Sequence, residues 1–351
     1  MGLFDNMLRE GESLIRNEEA LDFEFLPKVL PFREKEQRFI AECIKPLFQN
    51  RNGRNVVMYG PPGIGKTAAA RHVVKELEEQ TDEIYPIYIN CWHNNTSYKV
   101  MVEICEHLGY RLVQNKKTVD LYKVVASMIN KKTAAFIFDE IDKAEEHDFL
   151  YFILENIYKK SICLITNFKE WVATLDSRIK SRLMAEVLEF RQYNENETKE
   201  ILKLRAGYAF PEGVWEEGAF NRLAKKTFEL KDIRTGLFLM RGSALVAEEQ
   251  SKKKISQADV EKAISKLDTF TIKSSAELDE DTRFILSVVK EHSGKKIGEL
   301  YEVYQKKGGK HTYKTFQRKI AELDKGNFVS TKKQTGTGGN TTIVEKKLTD
   351  Y

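Results

Sequence analysis

A glycine-rich segment of the chain, Gly60 to Thr67, has the residue types and spacing of a phosphate-binding loop. It matches the pattern G-x-x-x-x-G-K-[ST] at every fixed position. Glycines let backbone N–H groups face a phosphate, Lys66 adds a positive charge, and the Thr67 hydroxyl can reach magnesium. The pattern predicts that a nucleoside triphosphate with Mg²⁺ binds through Gly60, Pro61, Pro62, Gly63, Ile64, Gly65, Lys66, Thr67 and Ala68.

A second pair of reactive groups follows a hydrophobic run, where Phe136-Ile-Phe138 leads into Asp139 and Glu140. A buried strand that delivers Asp and then Glu at its carboxyl end is typical of nucleoside triphosphatases. Asp139 can hold magnesium directly or through water, and Glu140 can orient and deprotonate the attacking water. A solvated acidic turn is the alternative.

Four more polar residues are candidates for the same reaction. Asn167 follows the predicted strand 161–166 and can hydrogen-bond the γ-phosphate or the water, although asparagine is also common in turns. Either Arg178 or Arg182 can act as an arginine finger on a neighbouring subunit's nucleotide, unless their segment is only a charged surface helix. Arg234 begins an amphipathic helix, from which it can reach back to the γ-phosphate.

These residues require a parallel α/β scaffold. Predicted strands at 55–59, 84–90, 134–138 and 161–166 alternate with helices, which indicates a mainly parallel sheet covered on both faces. Residues 194–272 show only helical periodicity. The predicted organisation is an acidic lead-in at 1–24, a nucleotide-binding domain at 25–192, a helical lid at 193–272, a linker near residue 273, and a third domain at 281–351.

The third domain has the pattern of three helices followed by a glycine-tipped hairpin, which predicts a winged helix. It holds 15 Lys and Arg against 8 Asp and Glu, and this basic excess favours a polyanionic partner. Its third helix pairs an apolar stripe with a basic front, as in a recognition helix, although winged helices also dock proteins. The DNA-contact candidates are Lys310, Thr312, Lys314, Thr315, Gln317, Arg318, Lys332, Lys333, Thr337 and Gly338.

The composition argues against several other classes of protein. Among the 351 residues no apolar run approaches the roughly 20 needed to span a bilayer, and no secretory signal begins the chain. The four cysteines lack Cys-x-x-Cys spacing, so neither a zinc ribbon nor a disulfide framework is indicated. We expect a cytoplasmic, nucleoid-associated protein with no membrane partner.

The order of these motifs resembles the AAA+ ATPases: phosphate loop, Asp-Glu strand end, Asn after the next strand, Arg box, and Asp-x-Arg in a helical lid. Within that class the chain resembles the archaeal origin-recognition and helicase-loading initiators from about residue 25 to residue 348. The narrower resemblance lies in Leu30-Pro-Phe-Arg33-Glu34, Tyr88-Ile-Asn90-Cys91, Thr96-Ser-Tyr98-Lys-Val100 and Asp232-Ile-Arg234.

The resemblance implies an AAA+ domain, an all-helical lid and a C-terminal winged helix. It further implies an ATP-regulated, DNA-binding replication initiator whose slow hydrolysis of ATP to ADP acts as a switch. The expected partners are double-stranded origin DNA, a replicative helicase and a second subunit reached by the arginine finger. Arg33 belongs to the family's segment beside the adenine and is a predicted cofactor-binding residue.

The chain departs from the family pattern at three places. Thr166-Asn167-Phe168 stands where Ser-Asn-Asp is usual, Lys231 replaces a glycine before Asp232, and the wing tip lacks arginine. Two other functions are considered beside the initiator. One is a clamp-loader or branch-migration type of AAA+ subunit, and the other is a nucleotide-bound DNA-binding regulator without significant turnover.

Overall fold

The computed structural model describes residues 13–276, 279–325, 328–336 and 339–346. By its contacts the chain divides into two units, which are described separately. The nucleotide unit comprises residues 15–212 and 224–238, and the C-terminal unit comprises residues 213–223 and those from 239 onwards, together with Ser13 and Leu14.

The nucleotide unit is built on a sheet of five parallel strands in the order β2-β3-β4-β1-β5. Strands β3 and β4 are buried along their whole length, as expected for a parallel sheet with both faces covered. The strands are β1 (Val56–Tyr59), β2 (Ile84–Asn90), β3 (Thr133–Asp139), β4 (Lys160–Thr166) and β5 (Glu186–Glu189).

The two faces of this sheet pack against different helices because side chains alternate along each strand. On β3, Phe136 and Phe138 pack on the face that carries α3, α4 and α5, while Ile137 packs on the face that carries α1 and α2. The helices are α1 (Glu34–Ile44), α2 (Lys66–Gln80), α3 (Ser97–His107), α4 (Thr118–Ile129), α5 (Asp148–Asn156), α6 (Trp171–Thr174) and α7 (Ser177–Leu183).

The structure adds three local features that the sequence analysis did not give. Helix α1 ends as α-helix at Ile44, and a 3₁₀ turn with Pro46 follows, because proline cannot donate to the helix ladder. Strand β5 escaped prediction because Glu186-Val-Leu-Glu is short and half-exposed. Within the acidic lead-in, a 3₁₀ turn at Glu19–Leu21 buries Ala20 and Leu21.

The region after Arg191 is helical, as expected. Its helices are α8 (Glu195–Ala209), α9 (Glu217–Leu230), α10 (Ile233–Glu249) and α11 (Gln257–Ala276). Asn194 caps α8, accepting a hydrogen bond from the Glu197 N–H at 2.9 Å while the Glu197 carboxylate accepts one from the Asn194 N–H. The prediction of a linker near residue 273 is wrong up to Ala276, because α11 continues without a break to that residue.

The C-terminal end of the chain forms three helices and a small antiparallel sheet ordered β6-β8-β7. Its core joins Ile285, Leu300, Phe316, Ile320 and Val344. The elements are α12 (Glu280–Glu291), β6 (Lys295–Lys296), α13 (Ile297–Lys306), α14 (Tyr313–Lys325), β7 (Val329–Gly336) and β8 (Gly339–Lys346). In the part of the chain that the structure describes, no helix is both long and apolar enough to cross a bilayer.

Candidate nucleotide-binding site

A cavity of about 400 Å³ opens at the carboxyl edge of the parallel sheet. Parallel strands bring their carboxyl ends to one edge, so the residues that follow β1, β3 and β4 meet there. All of the cavity-lining residues belong to the nucleotide unit. Of the predicted site residues, the lining contains Pro62, Gly63, Ile64, Gly65, Lys66, Thr67, Ala68, Asp139, Glu140, Asn167 and Arg234.

The phosphate loop takes the curled form that its glycines predict. Gly63 and Gly65 have φ values of 73° and 87°, in the left-handed region that glycine enters at little cost. A Cβ on Gly65 would lie 2.9 Å from the Tyr193 hydroxyl, so the tyrosine side chain would have to shift to admit it. Helix α2 begins at Lys66, which directs its first backbone N–H groups at the cavity.

The Lys66 ammonium uses all three of its protons at this site. It donates to the carbonyls of Gly60 at 2.7 Å and Pro61 at 2.8 Å, and to Oδ1 of Asn167 at 2.8 Å. Burial lowers the pKa of Lys66 to about 8, opposed by the negative charge of Asp139. A phosphate bound beside the ammonium would favour its charged form.

The two carboxylates after β3 have different surroundings. Asp139 is buried, and it accepts hydrogen bonds from the Tyr88 hydroxyl at Oδ2 (2.8 Å) and from the Glu140 N–H at Oδ1 (2.9 Å). Glu140 is half-buried, and its left-handed φ of 51° ends the extended backbone of β3. Burial and the Asp139 charge raise the pKa of the Glu140 carboxyl, as suits a general base.

The residues around Asn167 account for one departure from the family pattern. The Thr166 hydroxyl donates to Oδ1 of Asp142 at 3.0 Å and accepts the Phe168 N–H at 3.1 Å. Thr166 therefore joins the end of β4 to the turn that carries Asp139 and Glu140. The Phe168 side chain is exposed, so it does not take part in this network.

The start of α10 lies against the phosphate loop. Oδ1 of Asp232 accepts a hydrogen bond from the Arg234 N–H at 2.8 Å. This bond caps α10 and fixes where the helix begins. The Ile233 N–H donates to the Gly63 carbonyl at 3.4 Å. Lys231 has a φ of 58°, the conformation that the family's usual glycine favours, so the turn before Asp232 is retained without glycine.

Part of the cavity lining is apolar and suits a base. Its apolar side chains include Leu30, Pro31, Ile201, Leu204 and Leu237. Arg205 of α8 holds the N-terminal wall of this part in place, because it donates to the carbonyls of Asp22 at 2.6 Å and Phe25 at 2.8 Å. Burial lowers the pKa of Arg205 to about 10, which leaves it charged near neutral pH.

Arg33 lies beside the phosphate loop rather than in the cavity. Its side chain is fully buried and does not line the cavity, so its role as a nucleotide contact stays a prediction. The guanidinium lies over the Tyr193 ring at 4.1 Å and donates to the carbonyls of Ile64 at 3.1 Å and Arg191 at 2.6 Å. Arg33 thus supports the phosphate loop from behind.

The two arginine-finger candidates lie outside this chain's own cavity. Arg178 and Arg182 are both exposed on α7, and both guanidinium groups lie over the Tyr151 ring, at 5.5 and 5.0 Å. Arg178 also donates to Oδ1 of Asp176 at 3.1 Å, whereas Arg182 lies 3.7 Å from a carboxylate oxygen of Glu155. This position suits a group that acts on a neighbour.

The candidate DNA-contact residues on α14 and in the turn before it face outward. Phe316, Ile320 and Leu323 are buried, while the exposed residues are Lys310, Thr312, Lys314, Gln317 and Arg318; Thr315 is half-buried. Lys332 and Lys333 pair with Ile343 and Thr342 in the β7–β8 hairpin. Thr337 and Gly338 lie outside the described residues.

Sequence reasoning gave no site role to Tyr88, Asp142, Asp232 or Arg205. None of them stands at a fixed position of the phosphate-loop or Asp-Glu patterns. Two signals were available: Asp232 belongs to the Asp-x-Arg motif of the lid, and Tyr88 belongs to the strand that pairs with β3, whose end carries Asp139.

Comparison with known proteins agrees with this architecture. Residues 49–166 match a family model described as an AAA domain, and residues 199–265 match one described as a Cdc6 AAA+ ATPase-type lid domain. The chain is thus an AAA+ ATPase, which confirms the predicted parallel-sheet domain, helical lid and nucleotide-binding class. Among solved structures, the Aeropyrum pernix ORC2 protein with ADPNP and ADP is similar in fold, at 17% identity and a TM-score of 0.71 over 95% of this chain and 94% of that one.

Two relatives define the family more closely. ORC1-type DNA replication protein 1 of Archaeoglobus fulgidus is 31% identical over 347 residues, covering 92% of this chain and 84% of the relative. The Aeropyrum pernix ORC1 protein, solved in complex with DNA, is 27% identical with a TM-score of 0.70 over 96% of this chain and 94% of that one. The chain belongs to the family of ORC1-type DNA replication proteins, which confirms the predicted initiator family and the predicted role in DNA replication.

Proposed function

We propose that this protein binds origin DNA under the control of ATP and recruits the replicative helicase. The observation that carries the nucleotide half of the proposal is the meeting of Lys66, Asp139, Glu140, Asn167 and Arg234 around one cavity. The DNA half rests on the outward basic face of α14 and on the relative solved in complex with DNA.

The donor groups at the cavity suit Mg²⁺ held together with a triphosphate. Among the described residues there is no group of three or more His, Cys, Asp or Glu side chains that would hold a metal by themselves. Magnesium characteristically takes one or two protein oxygens plus phosphate oxygens and water. Thr67 and Asp139 would supply the protein oxygens, and the bound ion would neutralise charge that develops on the phosphates.

Hydrolysis would draw on residues of the same cavity. Glu140 accepts the proton of the attacking water, and its raised pKa brings it nearer to neutrality. Lys66 and Arg234 offset the negative charge of the outer phosphates, and Asn167 orients the water or the γ-phosphate. Turnover would be slow until Arg178 or Arg182 of a neighbouring subunit completes the site, so hydrolysis serves as a switch.

The three helices and the β7–β8 hairpin fit a winged helix that reads DNA. We propose domains at 25–192, 193–272 and 281–351 after a lead-in at 1–24, with α11 extending the helical lid to Ala276. Helix α14 presents Lys314, Gln317 and Arg318 to the major groove of DNA. Lys332 and Lys333 of the hairpin contact the sugar-phosphate backbone of the DNA. Such a protein acts where DNA is, in the cytoplasm and on the nucleoid.

The proposal is tested by mapping bound DNA across the genome of the source organism for wild type, Glu140→Gln and Lys66→Ala. Glu140→Gln should bind ATP but lose at least about 10-fold in hydrolysis rate, and it should retain one sharp peak at a replication origin. Lys66→Ala should lose ATP binding and weaken that peak. Arg38→Ala, on the exposed side of α1, is the control for both.

Other outcomes would indicate other functions. Many promoter peaks would indicate a transcription regulator. Hydrolysis stimulated by a sliding clamp, without an origin peak, would favour a clamp-loader type of subunit. An unchanged hydrolysis rate in Glu140→Gln would refute Glu140 as the base.

A further inference from the structure

Tyr88 lines the cavity and holds the Asp139 carboxylate from the neighbouring strand β2. Its hydroxyl donates to Oδ2 of Asp139 at 2.8 Å. In the parallel register Tyr88 lies opposite Ile137, so Asp139 is its diagonal neighbour two residues further on. A diagonal pair is within reach of an aromatic side chain, which explains how the phenol spans the distance.

The two hydrogen bonds to Asp139 fix the plane of its carboxylate. The Glu140 N–H occupies one lone pair of Oδ1, and the Tyr88 hydroxyl occupies one lone pair of Oδ2. The Glu140 bond comes from the next residue and moves with the turn after β3. The Tyr88 bond comes from β2, which seven consecutive residue pairs tie to β3. Tyr88 is therefore the rigid half of the support.

We propose that Tyr88 is a positioning residue for magnesium, which it serves by holding Asp139 in the orientation that binds the ion or its water. The inference rests on the proposed function, since it takes Asp139 as a magnesium-binding residue. Groups that orient a metal ligand typically change metal affinity or activity by roughly 10–100-fold when removed. Tyr88 itself need not touch the metal or the nucleotide for this effect.

The alternative is that the hydroxyl only satisfies a buried carboxylate and stabilises the sheet. In that case its removal would weaken the fold, and nucleotide binding would fall equally with and without magnesium. Tyr88→Phe separates the two roles because it keeps the ring and removes only the hydroxyl. Tyr85→Phe is the matched control: it makes the same change on β2, beside Ala134 rather than near Asp139.

The experiment titrates full-length wild type, Tyr88→Phe and Tyr85→Phe with a fluorescent ATP analogue. The analogue's affinity is measured first in EDTA and then at rising Mg²⁺ concentration. Tyr88→Phe should bind within about twofold of wild type in EDTA but need about 10-fold more Mg²⁺ for half of the magnesium-dependent gain. Tyr85→Phe should match wild type in both conditions.

Two results would overturn the inference and leave the proposed function intact. One is a magnesium midpoint for Tyr88→Phe within twofold of wild type, and the other is an equal loss of affinity with and without magnesium. If wild type itself gains no affinity from Mg²⁺, the magnesium site of the proposed function fails and the inference falls with it. That outcome is recognised in the wild-type curve alone.

Discussion

The carboxylate of Asp232 packs directly against the backbone of Gly63. A methyl group built on Gly63 would lie 2.0 Å from Oδ1 of Asp232, well inside any permitted contact. Because the same oxygen accepts the Arg234 N–H, this contact joins the phosphate loop to the start of the helix that carries Arg234. A movement of the loop when phosphate binds would therefore displace Asp232 and, through it, Arg234.

Gly63→Ala should weaken ATP binding by at least about 10-fold, because it combines a left-handed φ of 73° with the collision at Asp232. Gly109→Ala isolates the backbone part, since Gly109 has a φ of 74° with nothing within 4 Å of a built Cβ. In a double-mutant cycle measured by ATP titration, Asp232→Ala should recover part of the Gly63→Ala loss, with a coupling of about 0.5–3 kcal/mol. A strictly additive pair would contradict the contact.

Lys231→Gly should raise the free energy of unfolding by up to about 1 kcal/mol, because lysine at a φ of 58° is strained and glycine is not. Lys225→Gly, in the interior of α9, should instead lower it by about 1 kcal/mol. Urea unfolding of both variants measures the difference. Destabilisation of the Lys231 variant by as much as its control would show that the turn does not need this conformation.

Glu197→Gln should lower stability in a pH-dependent way. Hydrogen bonds from Arg191, at 2.7 and 2.5 Å, lower the pKa of Glu197 from 4.5 to about 2. A carboxyl whose pKa is depressed by folding stabilises the protein above its unfolded pKa and loses that contribution as pH falls through its folded pKa. The deficit should thus be about 1–2 kcal/mol near neutral pH, allowing for solvent screening at Arg191, and should shrink between about pH 5 and pH 2.

Glu200→Gln is the matched control for the Glu197 variant, because Glu200 lies on the exposed face of the same helix. Its unfolding free energy should follow wild type across the pH range within about 0.5 kcal/mol. A deficit for Glu197→Gln that stays constant from about pH 7 to about pH 3 would contradict the assigned pKa.

Lys314→Ala combined with Arg318→Ala should weaken binding to duplex DNA and reduce its salt dependence. Removing one phosphate-binding cation lowers the slope of log affinity against log salt by about one, so the pair should lower it by up to about two. Lys35→Ala with Arg38→Ala removes the same charges from the exposed face of α1 and should change neither quantity. Equal DNA binding by the two double variants would show that α14 is not part of the DNA interface.

Much of the candidate site could be predicted from local sequence, because its main motifs each lie within a short continuous segment of the chain. The phosphate loop lies within eight consecutive residues, and Asp139 and Glu140 end a continuous apolar strand, so each motif carries its own context. Strand β5, with four half-exposed residues, and the short strand β6, with two exposed lysines, were missed because neither gives a hydrophobic period to recognise.

The sequence by itself determined the class of site and the side chains that perform its chemistry, since residue type and spacing within one strand–loop–helix unit decide both. Only the tertiary structure decided which distant groups support them. The Tyr88 bond to Asp139, the Asp232 contact at Gly63 and the burial of Arg33 behind the loop all join residues far apart in the chain. Such contacts follow from strand register and helix packing, which no local pattern encodes.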